Sequence, residues 1–372
     1  MKTLICDLNV YDNGHHIAFV NAILGYSRDR DDIIFLFNQR AANFCKGMNE
    51  DPRIFFLDEA LLHPAGRPLL NKFREYRLIE KFALDHAIQR VIFLEIDQYQ
   101  LAIGLSKPPF LITGIYFRPF HLIPTNGGSM IYHLKKRLMF RVLHLNRKVE
   151  PLFLLNDLAA STRYPAWFRY LPDPIFAGAA GATDGIRSRH DIPPSTHLFL
   201  AFGAMGYRKN IPNTLEAYLH AAFEHDTTLL IAGKVRKDYR EEFDEAVSHF
   251  LATNTDKRKR LVVCDEYVPE EQLDAYFEEA DTILLCYVKF YGSSGLMGKA
   301  AQHQKTCIIP DQGLLAGLNQ EYGIGYSADP TNIHSIASAL SRAEQEPLPG
   351  AGFQRFVRDH HESAFLNTLL TA

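Results

Sequence analysis

The chain has 372 residues, which is too long for one hydrophobic core and suits about two domains. Hydrophobic residues make up 47% and charged residues 22%, values that exclude disorder as the main state. The 40 lysines and arginines against 43 acids give a formal net charge of −3, which excludes a general cationic field for nucleic acid.

Cysteine use favours a reducing compartment. The cysteines are scattered, odd in number, without a Cys-x-x-Cys pair and without histidine at metal-ligand spacing: Cys6, Cys45, Cys264, Cys286 and Cys307. The sequence starts directly with an apolar strand, and no apolar run reaches the ~18–20 residues that span a bilayer. We therefore expect a cytoplasmic protein, or one bound peripherally to the cytoplasmic face of a membrane.

Short apolar runs alternate with stretches of helical period through the first half. Strands are predicted at residues 3–10, 32–37, 54–57, 91–96, 110–116 and 152–155. The clearest helix covers residues 69–88, where apolar side chains recur every three to four positions. Fully apolar strands that alternate with helices indicate a parallel sheet covered on both faces.

Residues 171–196 are dense in Pro, Gly, Asp and Ser and are the best linker candidate. A second series follows, with strands at 198–202, 228–232, 261–264, 282–287, 307–310 and 323–326. Its helices are predicted at 212–223, 239–251, 270–279, 295–303 and 332–346, and one more at 353–370. The pattern predicts an α/β fold of two doubly wound domains, 1–170 and 197–350, facing a central cleft.

A glycine-rich turn follows the predicted strand 282–287 and opens a helix. It reads Tyr291-Gly292-Ser293-Ser294-Gly295 and leaves backbone N–H groups available at a helix N-terminus, where a phosphate or diphosphate would bind. The alternative is that a serine only caps the helix and the glycines only form a turn. The two interpretations are about equally supported by spacing.

A second strand-to-helix loop that suits phosphate binding follows the strand 198–202. Gly203 and Gly206 permit a tight loop, and Arg208 and Lys209 place two cations at a strand end, where they suit phosphate oxygens. A solvated basic turn would explain this loop alone equally well. Two such junctions on one sheet favour a phosphate ligand.

In the first half, a turn at Asn13-Gly14 joins the first strand to the first helix, and His15 or His16 could face a ligand. The alternative for either histidine is a partner for strand ends. Glu95 and Asp97 close a later strand and could orient a hydroxyl or act as a base. Helix capping by Asp97 is slightly the better interpretation.

Residues 131–148 combine apolar positions at helical spacing with six basic residues and no acid. The basic residues include those expected on a membrane-facing surface: Lys135, Lys136, Arg137 and Arg141. A basic amphipathic helix suits an anionic membrane surface, and the absence of acids favours it. An ordinary domain helix with a solvated cationic face is the alternative.

The second half resembles the nucleotide-binding half of the GT-B glycosyltransferases, especially the retaining family four. The resemblance covers about residues 198–340 and rests on the loop Gly203–Lys209, on Val268-Pro269 before a helix, on the glycine-rich turn and on Gly323-Ile324-Gly325. It implies two Rossmann-like domains, with residues 351–372 forming a last helix that returns to the first domain. It also implies sugar transfer from a nucleotide sugar, most commonly a UDP-sugar, without metal or another cofactor.

The resemblance further implies roles for single residues. Lys209 matches the phosphate-binding lysine, Arg208 could replace the arginine that aligns with Ala204, and Gly14 would face the diphosphate. The paired glutamates that contact donor sugar and ribose are replaced here by Tyr291 and Lys299. Gly292, Val268 and Pro269 would lie at the sugar or base. The catalytic candidates from the first domain are His15, His16, His121 and Arg118.

The expected function is therefore a hexosyltransferase-type glycosyltransferase that acts on a glycan or lipid-linked acceptor in surface polysaccharide synthesis, with retention of configuration. Two alternatives remain at this stage. One is a nucleotide-sugar epimerase of the same fold. The other is a catalytically silent subunit that binds a partner or a glycan, which the replacements at Tyr291 and Lys299 motivate.

Overall fold

The computed structural model describes residues 1–9, 15–43, 50–62, 68–123, 130–176 and 185–371. The chain divides into two compact units. Unit 1 comprises Met1–Pro172 together with Glu362–Ala372, and unit 2 comprises Asp173–His361. The chain therefore passes from one unit to the other twice, after residue 172 and after residue 361.

Unit 1 is built on a five-stranded parallel sheet of order β3-β2-β1-β4-β5. Its strands are β1 Thr3–Asp7, β2 Ile33–Asn38, β3 Ile54–Leu57, β4 Arg90–Phe93 and β5 Leu111–Gly114, and β6 Leu152–Leu155 and β7 Phe168–Leu171 form a parallel pair. Every residue of β1, β2 and β4 is buried, as expected for strands covered by helices on both faces. The bridge between Ile115 and Phe153 joins the pair to the end of β5.

The helices of unit 1 are α1 His15–Tyr26, α2 Glu59–Leu62, α3 Pro68–Asp85, α4 Gln100–Gly104, α5 Met130–Leu143, α6 Leu158–Arg163 and α15 Glu362–Thr371. The last of them packs on the first. The rings of Phe19 and Phe365 lie 4.8 Å apart, and the Tyr26 hydroxyl donates to Asn367. Aromatic contacts of this kind attach the end of the chain to unit 1.

Unit 2 contains a six-stranded parallel sheet of order β10-β9-β8-β11-β12-β13. Its strands are β8 His197–Phe202, β9 Thr227–Ala232, β10 Lys259–Cys264, β11 Thr282–Leu284, β12 Thr306–Pro310 and β13 Gly325–Ala328. Its helices are α7 Ile186–Arg189, α8 Ile211–His220, α9 Arg240–Thr253, α10 Glu270–Glu279, α11 Gly295–Gln302, α12 Leu314–Tyr322, α13 Ile333–Gln345 and α14 Gly350–Asp359. The predicted α/β class with two parallel sheets is confirmed.

The tail differs from its prediction. A single helix was expected over residues 353–370, but α14 ends at Asp359 and α15 begins at Glu362. The break occurs because His360 and His361 pair with the chain that enters unit 2: Ile175 N–H donates to the His360 carbonyl, and Ile175 bridges His361. A backbone that pairs sideways cannot continue an α-helix.

The ends of β8 and β9 approach so closely that only glycine fits. Gly203 has φ of +98° and Gly233 has φ of +137°, both in the region that favours glycine. A Cβ on Gly233 would stand 2.2 Å from the Gly203 carbonyl oxygen. Two loops that leave neighbouring strands are thus held in backbone contact.

We expect Gly233→Ala to lower the free energy of unfolding by about 1–3 kcal/mol, because the methyl group forces the backbone out of this conformation. Gly317→Ala is the matched control, since Gly317 lies in α12 with open space around its Cα. The control should raise stability by up to about 1 kcal/mol. Urea unfolding of both variants checks this, and equal stability of the two would contradict the close approach.

Candidate functional site

The two loops whose sequences suit phosphate binding lie side by side. β8 pairs in parallel with β11, so their carboxyl ends reach the same edge of the sheet. The amide of Val288, in the loop after β11, donates to the carbonyl of Arg208, in the loop after β8, at 3.1 Å. The structure thus brings together two segments that lie about eighty residues apart in sequence.

Lys209 joins the two strand ends from inside. Only 7% of its surface is exposed, and its ammonium donates to the Phe202 carbonyl and to the Tyr287 hydroxyl. The same ammonium lies 4.7 Å from the centroid of the Tyr287 ring. An ammonium has three N–H donors, so two hold the loops together and the third has no hydrogen-bond acceptor among the described residues.

Arg208 is exposed beside this buried lysine. Its guanidinium carbon lies 4.9 Å from the Phe290 ring centroid and 5.7 Å from that of Tyr287, so two aromatic faces support it. None of the ion pairs found among the described residues includes Arg208. A pre-oriented cation without a carboxylate partner is suited to an anionic ligand.

The glycine-rich turn leads from Phe290 into α11. Ser294 is the N-cap residue of α11, but its side chain makes no capping hydrogen bond, so helix capping does not explain this serine. The Ser293 hydroxyl donates to Asp173 at 2.6 Å, which fixes the turn against the first residue of unit 2. The first turn of α11 therefore begins without a side-chain cap on its N–H groups.

Lys299 is paired within unit 2. Its ammonium donates to Asp274 Oδ1 at 2.8 Å and to the Phe176 carbonyl at 3.2 Å, and His303 shares the same carboxylate at 2.9 Å. Burial would raise the pKa of Asp274, but the hydrogen bonds and charges of Lys299 and His303 hold that pKa below its ordinary value. The positive charge of Lys299 is thus balanced by α10.

The remaining residues expected at the donor occupy the same edge of the sheet. Tyr291 and Gly292 are half-buried in the loop before α11, and Val268 and Pro269 directly precede α10. Both segments follow strands of the six-stranded sheet, β11 and β10. Their positions fit the expectation that ligands bind at the carboxyl ends of parallel strands.

In unit 1, His121 pairs with Asp157. Nε2 of His121 lies 2.7 Å from Asp157 Oδ2, and Asp157 also accepts the Ala160 amide as N-cap of α6. The imidazole ring of His121 lies 5.4 Å from the ring of Phe168. Gly14 and the side chains of His15 and His16 lie outside the described residues.

Asp97 differs from the interpretation that the sequence slightly favoured, capping of a helix. Its carboxylate accepts the amides of Phe117 at 2.8 Å and Arg118 at 3.2 Å, and the Lys136 ammonium at 3.1 Å. The adjacent helix, α4, has Tyr99 as its N-cap, so Asp97 is not a helix cap. A buried carboxylate with three donors holds the turn that presents the exposed side chain of Arg118.

The basic run forms α5, and one residue differs from its expected place. Lys136 is buried in the ion pair with Asp97 and does not belong to an exposed surface, whereas Lys135, Arg137 and Arg141 are exposed. Within the described ranges, no helix is long and apolar enough to cross a membrane.

Sequence reasoning missed the partners of these residues. The sequence assigns no role to five residues that each touch a candidate side chain: Asp157, Asp173, Asp274, Tyr287 and Phe290. The sequence carries no local signal for them, because the partners come together only when separate strands and helices pack.

The chain forms two α/β units, and each unit contains a parallel sheet. The last helix packs on unit 1. This is the GT-B fold expected from the sequence. No protein-family profile matches the sequence, and no curated protein is significantly similar to it. Solved structures match it over its whole length. Sucrose-phosphate synthase from Thermosynechococcus elongatus superposes with a TM-score of 0.73 at 13% identity, over 99% of this chain and 96% of that one.

Two further solved structures are similar. WaaG, a glycosyltransferase involved in lipopolysaccharide biosynthesis, matches with a TM-score of 0.68 at 12% identity over 100% of both chains. HepE from Anabaena, solved in complex with UDP and glucose, matches with a TM-score of 0.69 at 10% identity over 100% of this chain and 98% of that one. The chain shares its fold with these proteins.

We expect Asp274→Asn to lower stability at pH 7 by about 1.5–3 kcal/mol, because it removes charge-assisted hydrogen bonds from Lys299 and His303. The folded-state pKa of Asp274 lies below its ordinary value of about 3.9. The contribution is therefore complete above pH ~4 and is lost as the pH falls through the lowered folded-state value.

Thermal unfolding from pH 7 down to pH 3 measures this, and the difference between variant and wild type should shrink on acidification. Asp244→Asn serves as the control, since Asp244 pairs with Arg240 on the exposed face of α9. A difference independent of pH would contradict the ion pair.

Proposed function

We propose that the chain is a glycosyltransferase that binds the diphosphate of a nucleotide-sugar donor at the edge of the six-stranded sheet. The observation that carries the proposal is the exposed, aromatic-supported Arg208 beside a loop that leads into the uncapped N-terminus of α11. Both features favour an anion, and they follow neighbouring parallel strands. The fold shared with glycosyltransferases supports the same conclusion.

In the proposed reaction, the bond between the anomeric carbon and the diphosphate oxygen breaks, and an acceptor hydroxyl oxygen bonds to that carbon. The hydroxyl proton passes to an oxygen of the departing diphosphate, which leaves as the nucleoside diphosphate. Negative charge develops on the departing diphosphate, and stabilising that charge is the main catalytic contribution. Arg208, the third N–H of Lys209 and the first N–H groups of α11 supply it, without a metal ion.

The proposed donor is a UDP-sugar, transferred with retention of configuration. HepE was solved with UDP and glucose, and a second similar structure is the UDP-forming trehalose-phosphate synthase from Burkholderia xenovorans. Retention follows from the resemblance to family four. The proposed acceptor is a glycan or a lipid-linked sugar in surface polysaccharide synthesis, which the similarity to WaaG supports.

We expect Arg208→Ala to weaken UDP binding by roughly 10- to 150-fold, the equivalent of about 1.5–3 kcal/mol for a charge-assisted contact. Arg208→Lys should recover only part of the loss, because an ammonium cannot bind phosphate through a planar fork. Isothermal titration calorimetry measures both. The matched control is Arg236→Ala, an exposed arginine of the next loop that already pairs with Asp238.

Wild-type affinity in Arg208→Ala would contradict the assigned site. Loss of binding on addition of EDTA would contradict a site that needs no metal.

A catalytically silent subunit is the second candidate, and Lys299 favours it, because a lysine engaged by Asp274 occupies the position in α11 where the resemblance implies a ribose-binding glutamate. A thermal-shift panel of UDP, GDP, ADP, CMP and their sugars separates the two candidates. A selective rise in melting temperature supports the transferase and names the base. A flat panel supports the silent subunit.

We also propose that the protein works at an anionic membrane surface on the cytoplasmic side, through α5. Three apolar residues on α5 are exposed, with Ile131, Leu134 and Leu138 at 81%, 54% and 62%. Lys135, Arg137 and Arg141 are exposed beside them. Apolar side chains that face outward among acid-free basic residues suit the boundary between headgroups and acyl chains.

We expect Lys135→Glu/Arg137→Glu/Arg141→Glu to abolish co-sedimentation with vesicles that contain phosphatidylglycerol, since each basic residue contributes about 1 kcal/mol near such a surface. The matched control is Arg28→Glu/Lys81→Glu/Lys107→Glu. It changes the net charge equally at exposed positions of unit 1 outside α5. Equal loss in both variants would contradict a localised surface.

A further inference from the structure

The N-terminal half of α5 buries two polar side chains and exposes apolar ones. A surface helix ordinarily turns its apolar side chains inward and its charges outward. Here His133 and Lys136 are buried, while Met130, Ile131 and Leu134 are exposed. This half of the helix is thus held to the rest of unit 1 through polar contacts. Its apolar side chains are exposed and can contact an environment outside unit 1.

The buried face of α5 contacts residues 116–123, in addition to α4 and Phe168 of β7. His133 Nδ1 lies 3.0 Å from the Ile123 carbonyl, and the Phe140 ring lies 5.2 Å from that of Phe120 and 5.8 Å from that of Tyr116. This segment carries Arg118 and His121, the candidate residues of unit 1 that the structure describes. A helix diameter of about 10 Å separates the outer face of α5 from them.

One carboxylate links the helix to the backbone of that segment. Asp97 accepts the Lys136 ammonium at 3.1 Å and the amides of Phe117 and Arg118 at 2.8 and 3.2 Å. Asp97 and Lys136 are both buried, so water cannot replace either partner if the ion pair is broken. A displacement of Lys136 therefore changes the hydrogen bonds that fix the Arg118 turn.

We propose that α5 is a membrane-responsive clamp: its outward apolar face rests on an anionic bilayer, while Lys136 on its inward face positions the Arg118 turn through Asp97. The inference rests on the proposed membrane surface and adds a consequence for unit 1. Lys136 and Asp97 are positioning residues in this scheme. Bilayer contact restrains α5, and through Lys136 and Asp97 the Arg118 turn opens less often.

The surroundings of α5 favour a bilayer as the occupant. No acid occurs in residues 130–148, so the face complements anionic headgroups. Trp167 is exposed, packs on Phe140 at 5.8 Å and stacks with Tyr164 at 5.7 Å. Exposed Trp and Tyr side chains are typical of membrane–water interfaces.

Hydrogen exchange of the Phe117 and Arg118 amides tests the clamp, in the full chain with and without phosphatidylglycerol vesicles. Wild-type exchange should slow about fivefold or more with these vesicles and remain unchanged with neutral phosphatidylcholine vesicles. Lys136→Met should still bind the anionic vesicles but lose the slowing, and Lys136→Arg should restore it. Slowing that persists in Lys136→Met would overturn the clamp.

A second pair of variants keeps the test decisive if Lys136→Met fails to fold. Leu134→Gln/Leu138→Gln changes the outer face alone and should lose both vesicle binding and the slowing, whereas Leu84→Gln/Leu105→Gln, two exposed leucines elsewhere in unit 1, should lose neither. Vesicle binding without slowing in the wild type overturns the clamp and leaves the membrane surface standing. Absence of vesicle binding overturns both, while UDP binding reports on the donor site separately.

Discussion

The buried ammonium of Lys209 is the contact on which the donor edge of unit 2 depends. It donates to the end of β8 and to Tyr287 just beyond β11, and so fixes two loops that the chain connects only through long intervening segments. Lys209 is held in the interior between the two strand ends. The neighbouring Arg208 therefore extends outward over the Phe290 ring. The glycine-rich turn starts at that phenylalanine, so its path into α11 is set by the same contact. Removing the lysine would release both anion-binding features together.

The glycine-rich turn and α11 are also tied to the chain that enters unit 2. Ser293 bonds to Asp173, and Lys299 bonds to the Phe176 carbonyl. A Cβ on Gly298 would stand 3.0 Å from the Ile175 side chain, so this helix and the entering chain lie close together. Unit 1 has a corresponding arrangement around Asp97, where one carboxylate holds the Arg118 turn and α5. In both units a buried polar contact fixes a loop at the carboxyl end of a strand.

Much of this fold could be predicted from sequence because buried parallel strands are continuous apolar runs. Each strand expected in the two series corresponds to an observed strand, such as 54–57 to β3 and 228–232 to β9. The strand β7 was missed because its residues Phe168–Leu171 lie in an aromatic run beside the proline-rich linker. The tail was read as one helix because its apolar spacing continues across His360, where pairing with Ile175 interrupts it.

The candidate site could be predicted only as far as strand ends. Loops after neighbouring parallel strands must meet, so Arg208, Lys209 and the glycine-rich turn were found from sequence. Their burial and partners were not, because these depend on residues far along the chain, as with Ser293 and Asp173. Lys136 shows the same limit: composition places it with its exposed neighbours, and only helix packing turns it inward.

The central claim is that Arg208 and the N-terminus of α11 bind one diphosphate. Hydrogen exchange of the chain with saturating UDP, compared with saturating uridine, tests it most directly, since uridine lacks the diphosphate. UDP should slow exchange at the amides of Gly295 and Leu296 and in the loop 203–208, while uridine should leave these amides unchanged. Binding of UDP with unchanged exchange at the start of α11 would contradict the account.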